Sequence, residues 1–294
     1  MPQIFLFLIL LLLGNSAKCQ ANREFEFVGT LQLNTQSLIS FQLVFHEISP
    51  GIIEGFTLTD IYGENRTKSR IRGTYDKAKS LVSFKETANL NTRSAASAEE
   101  FCFVEVNKAR IRQVGDKMLL QGRFKGAYAN GQICATGSFY LVSAGYLEKL
   151  SDQLLRDNGS KNKDTLAMVR QQVQQLKERK DKTVLKGNET LQVAWSSNEI
   201  ILDVWDGQYE DQDEISVYVD GKKILDQFVI RQQKKTLVIP FSSKVSKIEI
   251  FGLQEGQSAP CTANIFLRDG NTTMSLMTEL KKGEHATIRL TKTP

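Results

Sequence analysis

The chain is poor in the residues on which most metal and nucleophile-based sites depend. It contains two histidines, four cysteines and two tryptophans among 294 residues. Zinc sites take three or four His, Cys or acidic ligands at short spacings, whereas His46 and His285 stand far apart in the sequence. Neither a Gly-x-Ser-x-Gly nucleophile elbow nor a Gly-rich phosphate loop is present. The sequence therefore shows no catalytic or cofactor motif.

No part of the chain carries a dense positive charge. Residues 22–143 contain 15 Lys and Arg against 12 Asp and Glu, residues 144–187 contain 10 against 6, and residues 188–294 contain 12 against 15. Binding to a nucleic-acid backbone requires a concentrated basic face. We therefore expect no nucleic-acid partner.

Only one long apolar run is present. Residues 4–13 are apolar throughout, which is too short for a bilayer-spanning helix of about 20 residues. The run is typical of the hydrophobic region of a secretory signal, and a small and polar stretch follows it. We predict a signal peptide over residues 1–21 and no transmembrane segment in the mature chain. The protein is then exported, to the exterior, the periplasm or the cell envelope.

The end of the signal peptide has more than one reading. Cleavage after Ala21 is our preferred prediction, and cleavage after Ala17 is the alternative. Cleavage before Cys19 with attachment of a lipid is a third reading, although Lys18 occupies a position that requires a small residue.

Residues 22–143 alternate in polarity over one short segment after another. Phe25, Phe27, Leu31 and Leu33 share one parity, and a period of two buries one face of a sheet. About eight such segments follow each other, separated by turn residues such as Asn130-Gly131 and without helical crossovers. We predict an antiparallel meander that is barrel-like, because closure removes exposed edges. A sandwich is the alternative.

Residues 144–187 have a different periodicity. Leucines and valines recur at helical spacing around Leu147–Leu154 and around Leu166–Leu176, with a narrow apolar stripe. We predict a helical connector over this range. The stripe favours a helix that lies on the neighbouring module over a coiled coil, because only about two heptads are available.

Residues 188–294 return to short strands. About eight segments are packed into this range, and Asp220-Gly221 is a strong signal for a two-residue hairpin. Such a density of short strands is typical of a small β-sandwich. The overall prediction is a mainly β protein with a barrel-like module, a helical connector and a sandwich module.

An acidic cluster lies at the end of one of these strands. Its candidate calcium ligands are Asp203, Asp206, Glu210, Asp211 and Asp213, and Glu214 follows them. Carboxylates on a loop supply the hard oxygen ligands that Ca²⁺ prefers. The spacing of an EF-hand is absent, so a solvated acidic loop is the alternative.

The same region resembles a known family. Trp205-Asp206, Asp211-x-Asp213 and the hairpin at Asp220-Gly221 are similar to a β-sandwich domain of secreted envelope proteins of Bacteroidota. Cys261-Thr262-Ala263 departs from the Asn-Thr-Ala element of that family. The resemblance covers about a third of the chain and implies a secreted β-module without a catalytic assignment.

Three cysteines remain beyond the predicted signal peptide. Cys102 and Cys134 both fall in predicted strands of the first module, and an oxidising compartment allows them to pair. We predict this disulfide, with Cys261 left over. The alternative is that all three are small buried apolar residues.

These observations favour an exported, non-enzymatic binding or structural protein, with an extracellular or envelope protein or a glycan as its partner. One alternative is a barrel that carries a small apolar ligand, although the many phenylalanines of the first module predict a filled interior. A second alternative is a hydrolase that uses the carboxylates of the acidic cluster.

Overall fold

The computed structural model describes residues 24–34, 37–61, 63–156, 183–207, 210–269 and 273–293. In this part of the chain strands dominate, with one α-helix and a short 3₁₀ helix. The elements are β1 (Phe25–Leu33), β2 (Leu38–Ser49), β3 (Ile52–Thr59), β4 (Thr67–Asp76), β5 (Leu81–Thr92), the 3₁₀ helix (Ala98–Glu100), β6 (Phe103–Val114), β7 (Lys117–Ala127), β8 (Ile133–Ser143), α1 (Ala144–Arg156), β9 (Thr183–Lys186), β10 (Thr190–Trp195), β11 (Glu199–Trp205), β12 (Glu214–Val219), β13 (Lys222–Val229), β14 (Lys235–Pro240), β15 (Val245–Gln254), β16 (Cys261–Arg268), β17 (Thr273–Leu280) and β18 (His285–Lys292).

The first eight strands form a closed antiparallel barrel. Each strand pairs with the next along the chain, β1 pairs with β8, and β5 pairs with both β4 and β6. Closure leaves no unpaired edge among these strands, which protects them from adding further strands. The predicted mainly β fold and the eight-stranded barrel-like meander are therefore confirmed.

Large apolar side chains occupy the interior of the barrel. Alternate residues of each strand point inward, and all eight strands contribute to one buried cluster, for example through Phe27, Phe41, Ile71 and Leu120. Phe45 stacks on Phe25 with the ring centroids 4.9 Å apart. Close packing of this kind stabilises the barrel and leaves its axis filled with side chains.

Helix α1 follows β8 directly and lies on the outside of the barrel. Its residues Ala144 and Leu147 pack against a small cluster formed by Val28, Leu58 and Ile61. Leu147 of the predicted apolar stripe is therefore in contact with the barrel, whereas Leu150 is exposed. No helix in the described residues has the length and apolar character to cross a membrane.

The second module contains two sheets. Strands β13, β12, β15, β18 and β10 are neighbours in that order, and strands β14, β11, β16, β17 and β9 form a separate sheet. One hydrophobic cluster includes residues from both sheets, such as Ile288 of β18 and Leu202 of β11. The predicted hairpin at Asp220-Gly221 joins β12 to β13, and both residues have positive φ angles of 50° and 78°.

Strand β5 connects the two modules. Its first half pairs with β6, whereas Asn91 and Thr92 at its end pair with Val193 and Gln192 of β10. The barrel and the C-terminal strands β13, β12, β15, β18 and β10 thus belong to one continuous sheet. Arg93, the next residue, donates a hydrogen bond to the carbonyl of Val184.

Two predicted boundaries need correction. Thr183–Lys186, inside the predicted helical connector of residues 144–187, forms strand β9 and pairs in parallel with β17. Its four residues are too few to show a strand period in the sequence. In addition, the polar composition of residues 87–100 predicts a loop that begins at Thr87, whereas strand β5 continues to Thr92. The predicted signal peptide and the second predicted helix lie outside the described residues.

Candidate functional site

A groove lies on the outer face of the barrel, across β6, β7, β8 and β1. Its volume is about 450 Å³. Its lining is polar, with cations, amides, hydroxyls and one exposed tyrosine ring. The lining residues are Thr30, Gln32, Lys108, Arg110, Arg112, Gln121, Gly122, Ser138, Phe139 and Tyr140.

Strand register explains why these side chains meet. Arg110 of β6 is opposite Gln121 of β7, which is opposite Tyr140 of β8, which is opposite Thr30 of β1. Residues that are opposite in adjacent strands point to the same face. One row of outward side chains therefore crosses four strands. A second row contains Ser138 and Gln32.

A β-bulge in β6 sets the direction of the cations. The register shifts between Val106 and Arg110, and Lys108 has a φ angle of 54°. Val104 and Val106 point inward before the bulge, and Ala109 and Ile111 point inward after it. The extra residue thus changes which alternate residues of β6 point inward, as β-bulges do. Lys108, Arg110 and Arg112 are exposed as a result.

The groove has an uncompensated positive charge. No carboxylate is among its lining residues. Within the described part of the chain, none of Lys108, Arg110 and Arg112 has an acidic side chain within salt-bridge distance, whereas the neighbouring Lys125 is 3.3 Å from Glu105. Guanidinium groups bind planar oxyanions through paired hydrogen bonds. The groove is therefore suited to an anionic group.

Tyr140 supplies the aromatic part of the groove. Its side chain is 45% exposed, which is high for an aromatic residue. The Nζ atom of Lys117 lies 5.6 Å from the centroid of its ring and 5.9 Å from that of Tyr146 on α1. A cation over the ring face favours a fixed ring. Tyr140 thus presents a flat surface beside the positive charges.

A second unusual group lies inside the barrel, away from the groove. Glu86 of β5 is buried, accepts a hydrogen bond from the Thr57 hydroxyl and accepts another from the Val104 amide at 2.7 Å. Burial raises the pKa of its carboxyl from 4.5 to about 7, against the effect of both hydrogen bonds. The carboxyl links β3, β5 and β6 across the interior.

The acidic cluster of the second module is tied into the protein. Asp203 accepts a hydrogen bond from Thr236 at 2.7 Å and forms an ion pair with Arg268 at 3.1 Å. Glu210 accepts a hydrogen bond from the amide of Gln232 at 2.8 Å. These two predicted ligands therefore have partners within the chain.

Three of the predicted calcium ligands lie in electrostatic contact. Burial raises the pKa of Asp213, and the negative charges of Asp211 and Asp206 raise it further, although its carboxyl accepts hydrogen bonds from the amides of Thr262 at 2.6 Å and Gly256 at 2.8 Å. Among the described residues no group of three or more His, Cys, Asp or Glu side chains has the arrangement of a metal site. Calcium binding stays a prediction from the sequence.

The structure pairs Cys102 with Cys134, and their Cα atoms are 6.0 Å apart. The bridge passes over β7, where a Cβ atom on Gly126 would collide with the Sγ atom of Cys102. Cys261 is buried and has no disulfide partner among the described residues, and burial raises the pKa of its thiol to about 12. A thiol with such a pKa is a poor nucleophile at neutral pH.

The sequence did not predict the groove. Strands β6, β7 and β8 are consecutive neighbours, and closure of the barrel adds β1, so the lining depends on a strand register that a local pattern does not contain. The one local signal for the groove is the alternation of the cationic residues Lys108, Arg110 and Arg112 in the sequence. Such an alternation more often marks a strand face that is exposed to solvent.

Comparison with known proteins gives no relative for the chain. No protein-family model, no curated protein and no solved structure matches it.

Proposed function

We propose that the protein is an exported, non-enzymatic binding protein that holds an anionic ligand in the groove on the outside of its barrel. The observation that carries this proposal is the set of three outward cations that have no acidic partner in the described part of the chain, next to the exposed ring of Tyr140. Charged groups without protein partners gain most when a ligand of opposite charge arrives. Export itself is inferred from the apolar run at residues 4–13 and agrees with the Cys102–Cys134 disulfide.

The alternatives have less support. A carrier of an apolar ligand needs space along the barrel axis, and large side chains such as Phe27 and Phe41 occupy it. A hydrolase at the acidic cluster needs carboxylates that face a substrate, and Asp203 and Glu210 are engaged with other groups of the chain.

Two further assignments belong to the proposal. We infer that the two sheets of the second module pack as a β-sandwich, because one hydrophobic cluster draws on both of them. Calcium at the acidic cluster is supported by the proximity of Asp206, Asp211 and Asp213, and by the buried Oδ1 atom of Asp211, which has no hydrogen-bond partner among the described residues.

Calorimetric titration with dextran sulfate tests the groove. We expect binding by the mature protein, and about a hundredfold weaker binding by the double variant Arg110→Ser/Arg112→Ser, because each lost charge-assisted hydrogen bond removes a large part of the affinity. The matched control is Arg70→Ser/Arg289→Ser, which removes two exposed arginines outside the groove. An equal loss of affinity for dextran sulfate in both variants would show that binding depends only on the net charge of the protein and not on the groove.

Native mass spectrometry of the protein from its own host tests the remaining assignments. It reports the cleavage site, an attached lipid, a retained ligand and bound calcium together. We expect a chain that begins after Ala21. A retained apolar molecule would support the carrier alternative instead, and a calcium mass that is lost on chelation would support the metal site.

A further inference from the structure

The groove is divided into two chemically different halves. Lys108, Arg110 and Arg112 all belong to β6, at one side. Tyr140 belongs to β8, and Gln32 belongs to β1, at the other side. Gln121 of β7 lies between the halves. A small inorganic anion would contact only the β6 half of the groove. A ligand that also contacts the other half must extend beyond its own charged group.

The dimensions also favour an extended ligand. Three spacings between adjacent strands separate β6 from β1, which is about 14 Å at the usual distance between strands. The groove is open to solvent, so an extended ligand can enter it from outside. Most of its exposed lining is polar, which disfavours a lipid tail.

The half formed by β8 and β1 has the chemistry of a saccharide site. Side-chain amides and hydroxyls each donate and accept hydrogen bonds, and a sugar hydroxyl does the same. An exposed aromatic ring offers a flat apolar face, which matches the C–H face of a pyranose ring. A peptide of acidic residues would form ion pairs with the cations. Its side chains would not, however, match the side-chain amides or the tyrosine ring of the groove.

We propose that the groove binds an acidic oligosaccharide, with a carboxylate or sulfate group on the cations of β6 and a neutral ring face on Tyr140. This inference rests on the proposed function and specifies its ligand class. The sugar ring lies over Tyr140 of β8, and Gln121 of β7 and Gln32 of β1, on the two sides of β8, hydrogen-bond its hydroxyl groups.

Calorimetric titration with three probes tests the ligand class. The probes are tetragalacturonate, the neutral maltotetraose and a tetraglutamate peptide. We expect tetragalacturonate to bind at least about tenfold more tightly than tetraglutamate, and maltotetraose to bind more weakly than tetragalacturonate. Tyr140→Ala should weaken tetragalacturonate binding about tenfold and leave tetraglutamate binding unchanged, whereas Tyr140→Phe, which keeps the ring, should bind both as the native chain does.

The outcomes separate this inference from the proposed function. Equal affinity for tetraglutamate and tetragalacturonate, both lost in Arg110→Ser/Arg112→Ser, would overturn the saccharide inference and leave a general anion site. Stronger binding of maltotetraose than of tetragalacturonate would contradict the role of the cations. Binding of none of the probes, together with no binding of dextran sulfate, would overturn both.

Discussion

At the scale of the residue, Glu86 is the clearest departure from ordinary protein chemistry. A carboxyl in a filled barrel has two hydrogen-bond donors, Thr57 and Val104, and no cation among its contacts with the described residues. Neutral carboxylic acids tolerate such surroundings and carboxylates do not. The protein therefore keeps this group protonated up to about pH 7.

The sign of the pH dependence follows from the raised pKa. Below pH 4.5 the carboxyl is protonated in both states and its contribution to stability is fully present. Between pH 4.5 and about 7 the unfolded chain ionises first, so the free energy of unfolding falls as the pH rises, by up to about 3 kcal/mol. Glu86→Gln should remove this fall, because an amide can donate to Thr57 and accept from Val104 without titrating.

Urea unfolding at a series of pH values measures this effect. The exposed Glu99→Gln provides the control, since it removes a glutamate outside the barrel interior. The same slope in native chain and Glu86→Gln would show that Glu86 is not the titrating group.

Sequence reasoning reached some residues of the site and not others. It identified the pair of cysteines that the structure joins, because both stood in predicted strands. It did not identify Glu86 and Tyr140. The sequence around a single glutamate or tyrosine in an alternating strand does not show whether the side chain is buried or exposed. Both properties depend on which strands become neighbours.

At the scale of the element, the alternating pattern was informative where strands were long. The eight barrel strands have at least eight residues each, enough for a period of two to stand out. Strand β9 has four residues, and its identity as a strand depends on parallel pairing with β17. Strand β5 extends beyond its apolar half because β4 and β10 pair with its polar end.

Helix α1 gives a prediction at this scale. Leu147 packs against the cluster of Val28, Leu58 and Ile61, whereas Leu150 is 37% exposed. We expect Leu147→Ala to lower the free energy of unfolding by about 1–2 kcal/mol, since it removes a partly buried side chain.

Thermal unfolding followed by circular dichroism measures the change, with Leu150→Ala as the control on the same helix. Leu150→Ala should stay within about 0.5 kcal/mol of the native chain. A loss of equal size in both variants would mean that the helix does not rest on the barrel through Leu147.

At the scale of the whole molecule, the junction between β5 and β10 links the two modules. Arg93 follows β5, donates to the carbonyl of Val184 and lies 3.7 Å from a carboxylate oxygen of Glu189. Gln192 donates to the carbonyl of Ser94 at 2.7 Å. These contacts add side-chain links to a short ladder of two paired residues.

Arg93→Ala should weaken the coupling between the modules. The variant loses a charge-assisted hydrogen bond, worth about 1–3 kcal/mol, at the only described ladder between barrel and second module. We expect its calorimetric unfolding to spread into two transitions, while the exposed Arg289→Ala unfolds as the native chain does. A single unchanged transition in Arg93→Ala would show that the side chain of Arg93 does not contribute to the coupling between the modules.

The groove also belongs to this scale, because it exists only once the barrel is closed. The pairing of β1 with β8 joins residues more than a hundred positions apart in the chain, and the bulge in β6 fixes which side chains face outward. Neither fact is contained in a window of sequence. The groove therefore could not be predicted from a motif, although the mainly β architecture and the barrel-like meander could.

The most direct test of the central claim is nuclear magnetic resonance of the mature protein during titration with tetragalacturonate. We predict that the amide signals that shift belong to β6, β7, β8 and β1, with Arg110, Gln121, Tyr140 and Thr30 among them, and that Arg110→Ser/Arg112→Ser abolishes the shifts. Shifts confined to the acidic cluster or to residues of the barrel interior, with the groove unaffected, would contradict the account.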